Sequence, residues 1–314
     1  MKGQPRAPGG PPMAAAFVAK KLLETDAAVV AAVPRVLAEA DDEAIHDLRV
    51  AIRRLRTLLK IARRLFGRWH TDVVRRAYAD VMKATGELRD EEVLEETLEG
   101  ASEAPSFTSW LSDRAARERS LRAAVVARIE RGELDRARLL LKALLVFPAS
   151  PDKDRELARF ARRTVERARL RVEERREVAT EDVLGLHELR IAYKELRYAI
   201  ELLADALPID ARAMLEPATV FQKRLGEVHD VDVAVETIAG AEGLDPAARA
   251  EALERLAQKR SKRVAKYVRE LDPLAPAIGA TGAAPPVPEA APAGVPPEPR
   301  EKPPSGRSRR GGAG

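Results

Sequence analysis

The chain contains the stretch IHDLRVAIRRLR at residues 45–56 and a close copy of it, LHELRIAYKELR, at residues 186–197. A second pair follows in the same order, since residues 83–93 read KATGELRDEEV and residues 223–233 read KRLGEVHDVDV. The members of each pair are about 140 residues apart, which indicates that a unit of about 130 residues is duplicated. We expect each copy to form an antiparallel helical bundle, and the two bundles to be related by a pseudo-twofold axis.

The region between the two ends of the chain has a helical pattern throughout. Ala, Leu, Arg and Glu dominate, and apolar residues recur at three- and four-residue spacing, so we predict an all-α protein. The predicted helices lie near residues 13–39, 44–66, 70–99, 106–131, 134–146, 152–178, 183–206, 210–239 and 245–271. Asp41 or Asp42 is a natural N-cap for the second helix, and Thr180 or Asp182 for the seventh.

Composition divides the chain into three segments. Residues 1–12 are rich in Gly and Pro, and residues 273–314 hold half of the 22 prolines with few large apolar residues. Such segments bury too little surface to offset the entropy of ordering them, so we predict that both are disordered. Residues 13–272 form the predicted helical domain, with one half at about 13–147 and the other at about 151–272.

Composition also excludes several classes of protein. The 314 residues include no cysteine, which rules out disulfides, thiolate zinc sites and a cysteine nucleophile, and indicates a reducing compartment, the cytoplasm. Charged residues interrupt every apolar run before the roughly 18 residues that a membrane-spanning helix needs. The net charge is +5, of which the two ends contribute +2 each, leaving +1 for residues 13–272. The clustering of positive residues therefore says more about partners than their total.

Each of the two similar helices carries a row of positive side chains. At about 100° per residue, the cations of the first helix fall within an arc of about 80°, beside the apolar side chains that face the core. The rows are His46, Arg49, Arg53, Arg56 and Lys60 in the first copy, and His187, Arg190, Lys194 and Arg197 in the second. Like charges in line repel one another and lose i,i+4 ion pairing. Each row therefore needs an anionic partner, either carboxylates of the protein or phosphates of a ligand.

The repeated acidic residues are the candidate partners within the protein. They are Glu87, Asp90 and Glu92 in the first copy, and Glu227, Asp230 and Asp232 in the second. Paired with the two rows, they would leave a neutral, structural bundle core. Each copy, however, sets these three acids against its row and further cations, which are Lys83 and Arg89 in one copy and Lys223, Arg224 and His229 in the other. We therefore expect some cations to remain available to a ligand.

These motifs resemble those of the CHAD family, the conserved histidine α-helical domain. The resemblance rests on the His-x2-Arg-x3-Arg/Lys-x2-Arg pattern and the Gly-Glu-x2-Asp turn in both copies, and on residues 196–201, LRYAIE. It covers residues 13–272, without the triphosphate-processing CYTH domain that some members carry. It implies two antiparallel helical bundles with a basic groove between them. In that family the groove binds inorganic polyphosphate, and members associate with polyphosphate granules.

The resemblance also implies which residues bind the polyphosphate. They are His46, Arg49, Arg53, Arg56, His187, Arg190, Lys194 and Arg197, with Lys83 and Lys223 beside the groove. The row on the first helix and the count of charges add Lys60, Arg89 and Arg224 as further candidate ligands. The second row is less positive than the first, because Glu195 aligns with Arg54 and Glu201 aligns with Lys60. We therefore expect the first half to contribute more to binding. The expected protein is a binder rather than an enzyme, with no cofactor and no metal.

The two histidines of the rows have two interpretations. On the functional one, His46 and His187 donate to phosphate and gain charge when it binds, because an anion raises the pKa of an imidazole. On the structural one, each side chain packs near the start of its helix.

Two other functions remain as alternatives. A metal-dependent phosphohydrolase could use the duplicated acidic turns with Mg²⁺, although no nucleophile or phosphate-cradling Gly-rich loop accompanies them. A generic polyanion or nucleic-acid binder would need aromatic residues for stacking, and apart from Tyr193 and Tyr198 these lie outside the rows. The sequence identifies no protein partner.

Overall fold

A computed structural model describes residues 12–38, 43–147, 149 and 153–279, with side chains described as far as residue 270. These residues are helical almost throughout, with no strand among them, and they fall within one unit. The all-α prediction is therefore confirmed. The disorder predicted for residues 1–11 and 280–314, and the candidate N-caps Asp41 and Asp42, lie outside the described residues.

The helices follow one another along the chain with short connections. They are α1 (Ala14–Leu37), α2 (Glu43–Phe66), α3 (Arg68–Ala77), α4 (Ala79–Leu98), α5 (Pro105–Glu130), α6 (Glu133–Val146), α7 (Leu157–Glu173), α8 (Val183–Leu203), α9 (Ile209–Ala213), α10 (Leu215–Ala239) and α11 (Pro246–Gly279). None of them, within the described ranges, is both long enough and apolar enough to cross a membrane.

The structure divides two of the predicted helices. The helix predicted at residues 70–99 becomes α3 and α4, which meet at Tyr78, where the backbone has φ −88° and ψ 1°. The Tyr78 side chain is fully buried, so the bend places a large aromatic group in the core. Helical periodicity does not encode such a bend, because it reports only which side of a helix is apolar. The helix predicted at residues 210–239 is likewise divided at Met214, into α9 and α10.

The ends of the helices differ from the predictions by several residues. The helix predicted at residues 152–178 is shorter, since α7 spans Leu157–Glu173. In contrast, α11 continues to Gly279, past the predicted end of the helical domain at residue 272. Asp182 is the N-cap of α8, because its side chain accepts a hydrogen bond from the main-chain N–H of Gly185 at 2.9 Å.

The apolar sides of α2 and α8 are buried as their periodicity predicts. The buried side chains are Leu48, Ile52, Leu55 and Leu59 in α2, and Leu189, Tyr193, Leu196 and Ile200 in α8. They belong to the main core, to which both halves of the chain contribute. A smaller core lies between α4, α5, α10 and α11. Because both cores include side chains of the two halves, the basic sides of α2 and α8 are held in fixed positions by packing on their apolar sides.

Helices α2 and α8 contact each other, and α4 and α10 pack against them and against each other. Two ion pairs cross from α2 to α8, Lys60 with Glu195 and Arg54 with Glu201. In the sequence repeat Arg54 aligns with Glu195 and Lys60 with Glu201, so the two ion pairs are equivalent with the partners exchanged. A twofold axis between two helices produces such reciprocal contacts, and the pattern therefore supports the predicted pseudo-twofold relation.

Candidate functional site

The two rows of cations meet where α2 contacts α8. The guanidinium carbon of Arg53 on α2 lies 5.5 Å from the ring centre of Tyr198 on α8, and that of Arg197 lies 5.3 Å from the same ring centre. A guanidinium at this distance from an aromatic ring is attracted to the negative potential of its face. Tyr198 is therefore shared by both rows, and the structure brings them to one place.

Four cations at this contact form what we call the central cluster: Arg49 and Arg53 of α2, and Arg190 and Lys194 of α8. Burial lowers the pKa of the Lys194 ammonium, and the positive charges of Arg190, Arg53 and Arg49 lower it further. Burial and the neighbouring Arg53 likewise lower the pKa of Arg49. Among the described residues, none of the four forms an ion pair with a carboxylate. The central cluster is thus a concentration of unneutralised positive charge.

Two hydrogen-bond donors of the central cluster have no acceptor among the described residues. The Nε atoms of Arg53 and Arg190 are buried and have no hydrogen-bond partner within the described part of the chain. A buried donor left unsatisfied costs about 1–3 kcal/mol. Arg49 is better satisfied, because its Nη1 donates to the main-chain oxygen of Met82 at 3.3 Å. An anion with several acceptor oxygens would satisfy the donors and offset the repulsion between their charges.

The two repeated acidic segments are helical, within α4 and α10, and their glycines lie beside two of these arginines, with the closer approach at Gly86. A Cβ atom on Gly86 of α4 would lie 3.2 Å from Nη1 of Arg49, and a Cβ atom on Gly226 of α10 would lie 3.6 Å from Nε of Arg190. Gly86 and Gly226 are equivalent in the repeat, as are the two arginines. The repeated glycine is visible in the sequence, but its role depends on the packing of α4 on α2 and of α10 on α8.

Two equivalent aspartates, one on α4 and one on α10, lie close to the central cluster. Burial raises the pKa of Asp90, and the charges of Arg49 and Arg190 oppose that rise. Burial also raises the pKa of Asp230, against the charges of Arg190 and Arg89. Neither carboxylate forms an ion pair in the described part of the chain. Asp90 and Asp230 therefore moderate the positive potential of the central cluster without neutralising it.

One of the two predicted histidines lies beside the central cluster, together with a histidine outside the predicted site. The Nδ1 atom of His187 lies 3.3 Å from Nδ1 of His229 on α10. Burial lowers the pKa of His187, and the charges of Arg190 and Lys194 lower it further. Burial, Arg190 and His187 lower the pKa of His229 to about 4. His229 could have been found from the sequence, because it occupies the position of Arg89 in the repeat.

Five predicted site residues form ion pairs with carboxylates of the protein. They are Lys60, Lys83, Arg89, Arg197 and Arg224. The partners of Lys60 and Arg197 are Glu195 and Glu201 of α8, and Nε of Arg197 lies 2.7 Å from Glu201. These two acids were missing from the sequence-based count of partners, which covered only the repeated acidic turns. More cations of the two rows are neutralised than that count predicts, because α8 carries two acidic residues next to its own row.

Arg224 does not belong to the central cluster. It lies 2.7 Å from Glu270 of α11 and 3.1 Å from Glu227. The carboxylate of Glu270 accepts from both Nε and Nη2 of Arg224, which directs the guanidinium toward α11. We therefore remove Arg224 from the candidate site.

The predicted site residues outside the central cluster also include Arg56, His46 and Lys223, and the exposed Lys83. Arg56 donates to the main-chain oxygen of Arg75 at 3.2 Å, and burial together with the charge of Arg75 lowers its pKa. Lys83 is largely exposed, and its ammonium lies 3.7 Å from Glu87. His46 and Lys223 are exposed, and neither has an ion pair within the described ranges. No group of three or more His, Asp or Glu side chains in those ranges is arranged to hold a metal ion.

Comparisons with known proteins agree with this architecture. The family profile described as CHAD domain matches residues 22–239, and the chain therefore belongs to the CHAD domain family. Its fold is similar to that of the CHAD domain from the plant Ricinus communis, with a TM-score of 0.63 and 20% identity over 90% of this chain and 97% of that chain. It is also similar to PptA from Streptomyces chartreusis, with a TM-score of 0.63 and 15% identity over 84% of this chain and 99% of that chain. No curated protein matches the chain.

Proposed function

We propose that the protein binds linear inorganic polyphosphate between α2 and α8, with the central cluster as the main binding site. One observation carries the proposal. Arg49, Arg53, Arg190 and Lys194 converge from two equivalent helices, and none of them has a carboxylate partner among the described residues. The resemblance to the CHAD family supports a phosphate chain as the missing anion.

The chemistry of the cluster suits a phosphate chain. Polyphosphate carries negative charge along its whole length and has no bases or sugars for a protein to read, so closely spaced donors are sufficient. The planar guanidinium of Arg can donate two hydrogen bonds to one phosphate, whereas Lys acts as a compact point charge. The unpartnered Nε atoms of Arg53 and Arg190 supply two such donors. Because the attraction is electrostatic and releases counterions, the affinity should fall steeply as salt is added.

Binding without catalysis is part of the proposal. The four side chains of the central cluster donate hydrogen bonds and positive charge, which hold phosphate oxygens in place. The test is incubation of the pure protein with polyphosphate and Mg²⁺, followed by measurement of chain length. An unchanged length is expected, and shortening that the Arg49→Ala, Arg190→Ala double variant lacks would contradict the proposal in favour of a phosphohydrolase.

The decisive experiment is a binding titration with polyphosphate at two salt concentrations. The Arg49→Ala, Arg190→Ala double variant should bind at least about tenfold more weakly than the unchanged protein, because it removes two of four converging charges. The matched control is Arg136→Ala with Lys142→Ala, which removes two exposed cations from α6. Equal affinities for the double variant and the control would contradict the proposal.

Competition with nucleic acid tests whether the site prefers polyphosphate. At equal phosphate concentration and moderate salt, short DNA or RNA should not displace polyphosphate, since the central cluster offers Tyr198 alone for stacking and that ring is buried between two arginines. Efficient displacement would instead identify a generic polyanion site.

The proposed location follows from the proposed ligand. A cytoplasmic protein that binds polyphosphate is expected on polyphosphate granules. Fluorescence microscopy of a tagged protein should show granular signal that disappears in the Arg49→Ala, Arg190→Ala variant. Granular signal retained by that variant would show that some other surface directs the protein there.

A further inference from the structure

A second basic surface lies away from the central cluster, in a groove between α2 and α7. The groove consists of two adjoining recesses with volumes of about 440 Å³ and 230 Å³. Arg63, Arg64 and Arg167 line both recesses, so the recesses are continuous. Lys153, Arg159 and Arg163 line the larger one. We call this feature the α2–α7 groove.

The α2–α7 groove holds far more positive than negative charge. Among the described residues that line it, Glu195 is the sole acid, and it already forms ion pairs with Lys60 and Arg171. Arg64, Arg159 and Arg163 form no ion pair in the described part of the chain. An ordinary solvated helix face would mix both signs of charge.

Arg167 shows that the cations of the groove lie close to one another. Burial lowers its pKa, and the charges of Arg64, Arg171 and Arg163 lower it further. Its Nε donates to the main-chain oxygen of Arg163 at 2.8 Å, so it is satisfied by the backbone rather than by a carboxylate. The positive charge of Arg167 therefore remains available to an anion.

The groove continues the row of cations on α2. Arg53, Lys60 and Arg64 are spaced by seven and four residues, which places them on the same side of the helix. Arg53 belongs to the central cluster, whereas Lys60 and Arg64 line the groove. Arg53 and Arg64 are eleven residues apart, which is about 16 Å of α-helix, so the row of cations runs over that length from the central cluster to the groove. On α7, Arg159, Arg163 and Arg167 follow at four-residue intervals and form the opposite wall.

We propose that the α2–α7 groove is a second section of the polyphosphate site, which holds the part of a long chain that extends beyond the central cluster. The inference rests on the proposed function and adds a dependence on chain length. Tripolyphosphate is short enough to be held by the central cluster alone, whereas long chains engage both places. The affinity for one polyphosphate molecule should therefore rise with its chain length, and the rise should be steeper than for a protein that binds through the central cluster alone.

The test compares one groove variant with one control on three ligands, which are long-chain polyphosphate, tripolyphosphate and duplex DNA. The groove variant is Arg159→Ala with Arg163→Ala, and the control is Arg162→Ala with Arg136→Ala, which removes the same charge from α7 and α6 outside the groove. All four side chains are exposed, so unchanged thermal midpoints are expected and show that both variants fold. The groove variant should bind long-chain polyphosphate about tenfold more weakly and with a salt slope shallower by about two, while its affinity for tripolyphosphate is unchanged.

Each other outcome has a definite meaning. If the unchanged protein binds neither ligand, the proposed function fails, and this inference fails with it. If the unchanged protein binds long chains and the groove variant matches the control, the groove is not part of the site, although the proposed function stands. If the groove variant loses affinity for duplex DNA but not for polyphosphate, the groove binds nucleic acid and the inference is overturned.

Discussion

The Nδ1 atoms of His187 and His229 lie 3.3 Å apart, and the centres of the two rings are 4.5 Å apart. At this distance one ring donates its N–H to the lone pair of the other, so the two facing nitrogens cannot both carry a proton. Burial and the charge of Arg190 lower the pKa of both rings. The pair therefore links α8 to α10 in its neutral form, and we expect an anion bound beside Arg190 to favour its protonation.

The first prediction concerns stability without ligand. The pKa of His229 in the folded protein is about 4, against an ordinary value of 6.5, so between these pH values the unfolded state binds the proton and the folded state does not. The free energy of unfolding should therefore fall as the pH is lowered from about 6.5 to about 4, by about 1–3 kcal/mol from this group. Urea unfolding at several pH values measures this pH dependence of the free energy of unfolding. His229→Asn should show a weaker pH dependence, and an unchanged dependence would contradict the assignment.

The second prediction concerns binding. Bound phosphate should raise the pKa of His187 and His229, so polyphosphate should bind more tightly at pH 6 than at pH 8. The charged groups that act on the pair are Arg190, Lys194, Glu188 and Asp232. Titrations at both pH values with the His187→Asn, His229→Asn variant should show a smaller difference than with the unchanged protein. The single variant His46→Asn measures the separate contribution of the exposed His46. A flat pH dependence in the unchanged protein would remove the histidines from the site.

The third prediction concerns the glycines that seat the arginines. In Gly86→Ala the new Cβ would lie 3.2 Å from Nη1 of Arg49, which displaces the guanidinium, so polyphosphate affinity should fall severalfold. Gly226→Ala is the matched control, because its Cβ would meet Arg190 at an ordinary 3.6 Å. Both substitutions raise helix propensity by about 1 kcal/mol, so neither should lower the thermal midpoint. Equal affinities for the two variants would show that the position of Arg49 is not limited by Gly86.

The fourth prediction concerns the two aspartates beside the central cluster. Replacing Asp90 and Asp230 by Asn removes the negative charges that moderate the repulsion between Arg49 and Arg190. Because burial raises the pKa of both carboxylates, the folded state disfavours their charged forms, so the free double variant should have an equal or higher thermal midpoint. It should also bind polyphosphate more tightly than the unchanged protein, because the positive potential of the central cluster rises. Calorimetry and a binding titration measure both effects. Weaker binding by the variant would contradict this prediction, because it would mean that the two carboxylates help to hold the ligand.

The fifth prediction separates structural ion pairs from the binding site. Glu91 of α4 is buried and lies 2.9 Å from Arg114 and 2.8 Å from Arg117 of α5. Glu91→Gln removes the counter-charge of these arginines, which are partly exposed, so it should lower the free energy of unfolding by about 1–2 kcal/mol. Polyphosphate affinity at a temperature where the variant is folded should not change. A large loss of affinity would show that the α4–α5 contact contributes to the site.

Much of the fold was predictable because helical periodicity relates sequence position to side-chain direction. Leu48, Ile52 and Leu55 are buried on one side of α2, while Arg49 and Arg53 lie beside them on the basic side. The bend at Tyr78 was not predictable, because it serves the packing of one aromatic side chain among neighbours that are distant in the chain.

The two rows of cations were predictable from the sequence, but the distribution of charge around them was not. Repetition alone identified two equivalent helices with cations in line, since a duplicated pattern does not depend on where the helices lie. Which cations keep their charge depends on neighbours in space. Glu195 of α8 neutralises Lys60 of α2, and Glu201 neutralises Arg197 on the same helix, α8. Arg190 has no carboxylate partner among the described residues.

The arginines of α7 show most clearly which features follow from the sequence and which depend on the packing of the helices. In the sequence they are ordinary charged residues of an amphipathic helix, outside the repeated motifs at residues 186–197 and 223–233. They form one wall of a basic groove only because α7 packs beside α8 and faces the end of α2. Local sequence sets which side of each helix is charged, because the direction of a side chain follows from the helix geometry. The electrostatic field that a ligand meets is a sum over charges from several helices, and that sum exists only once the helices are packed together.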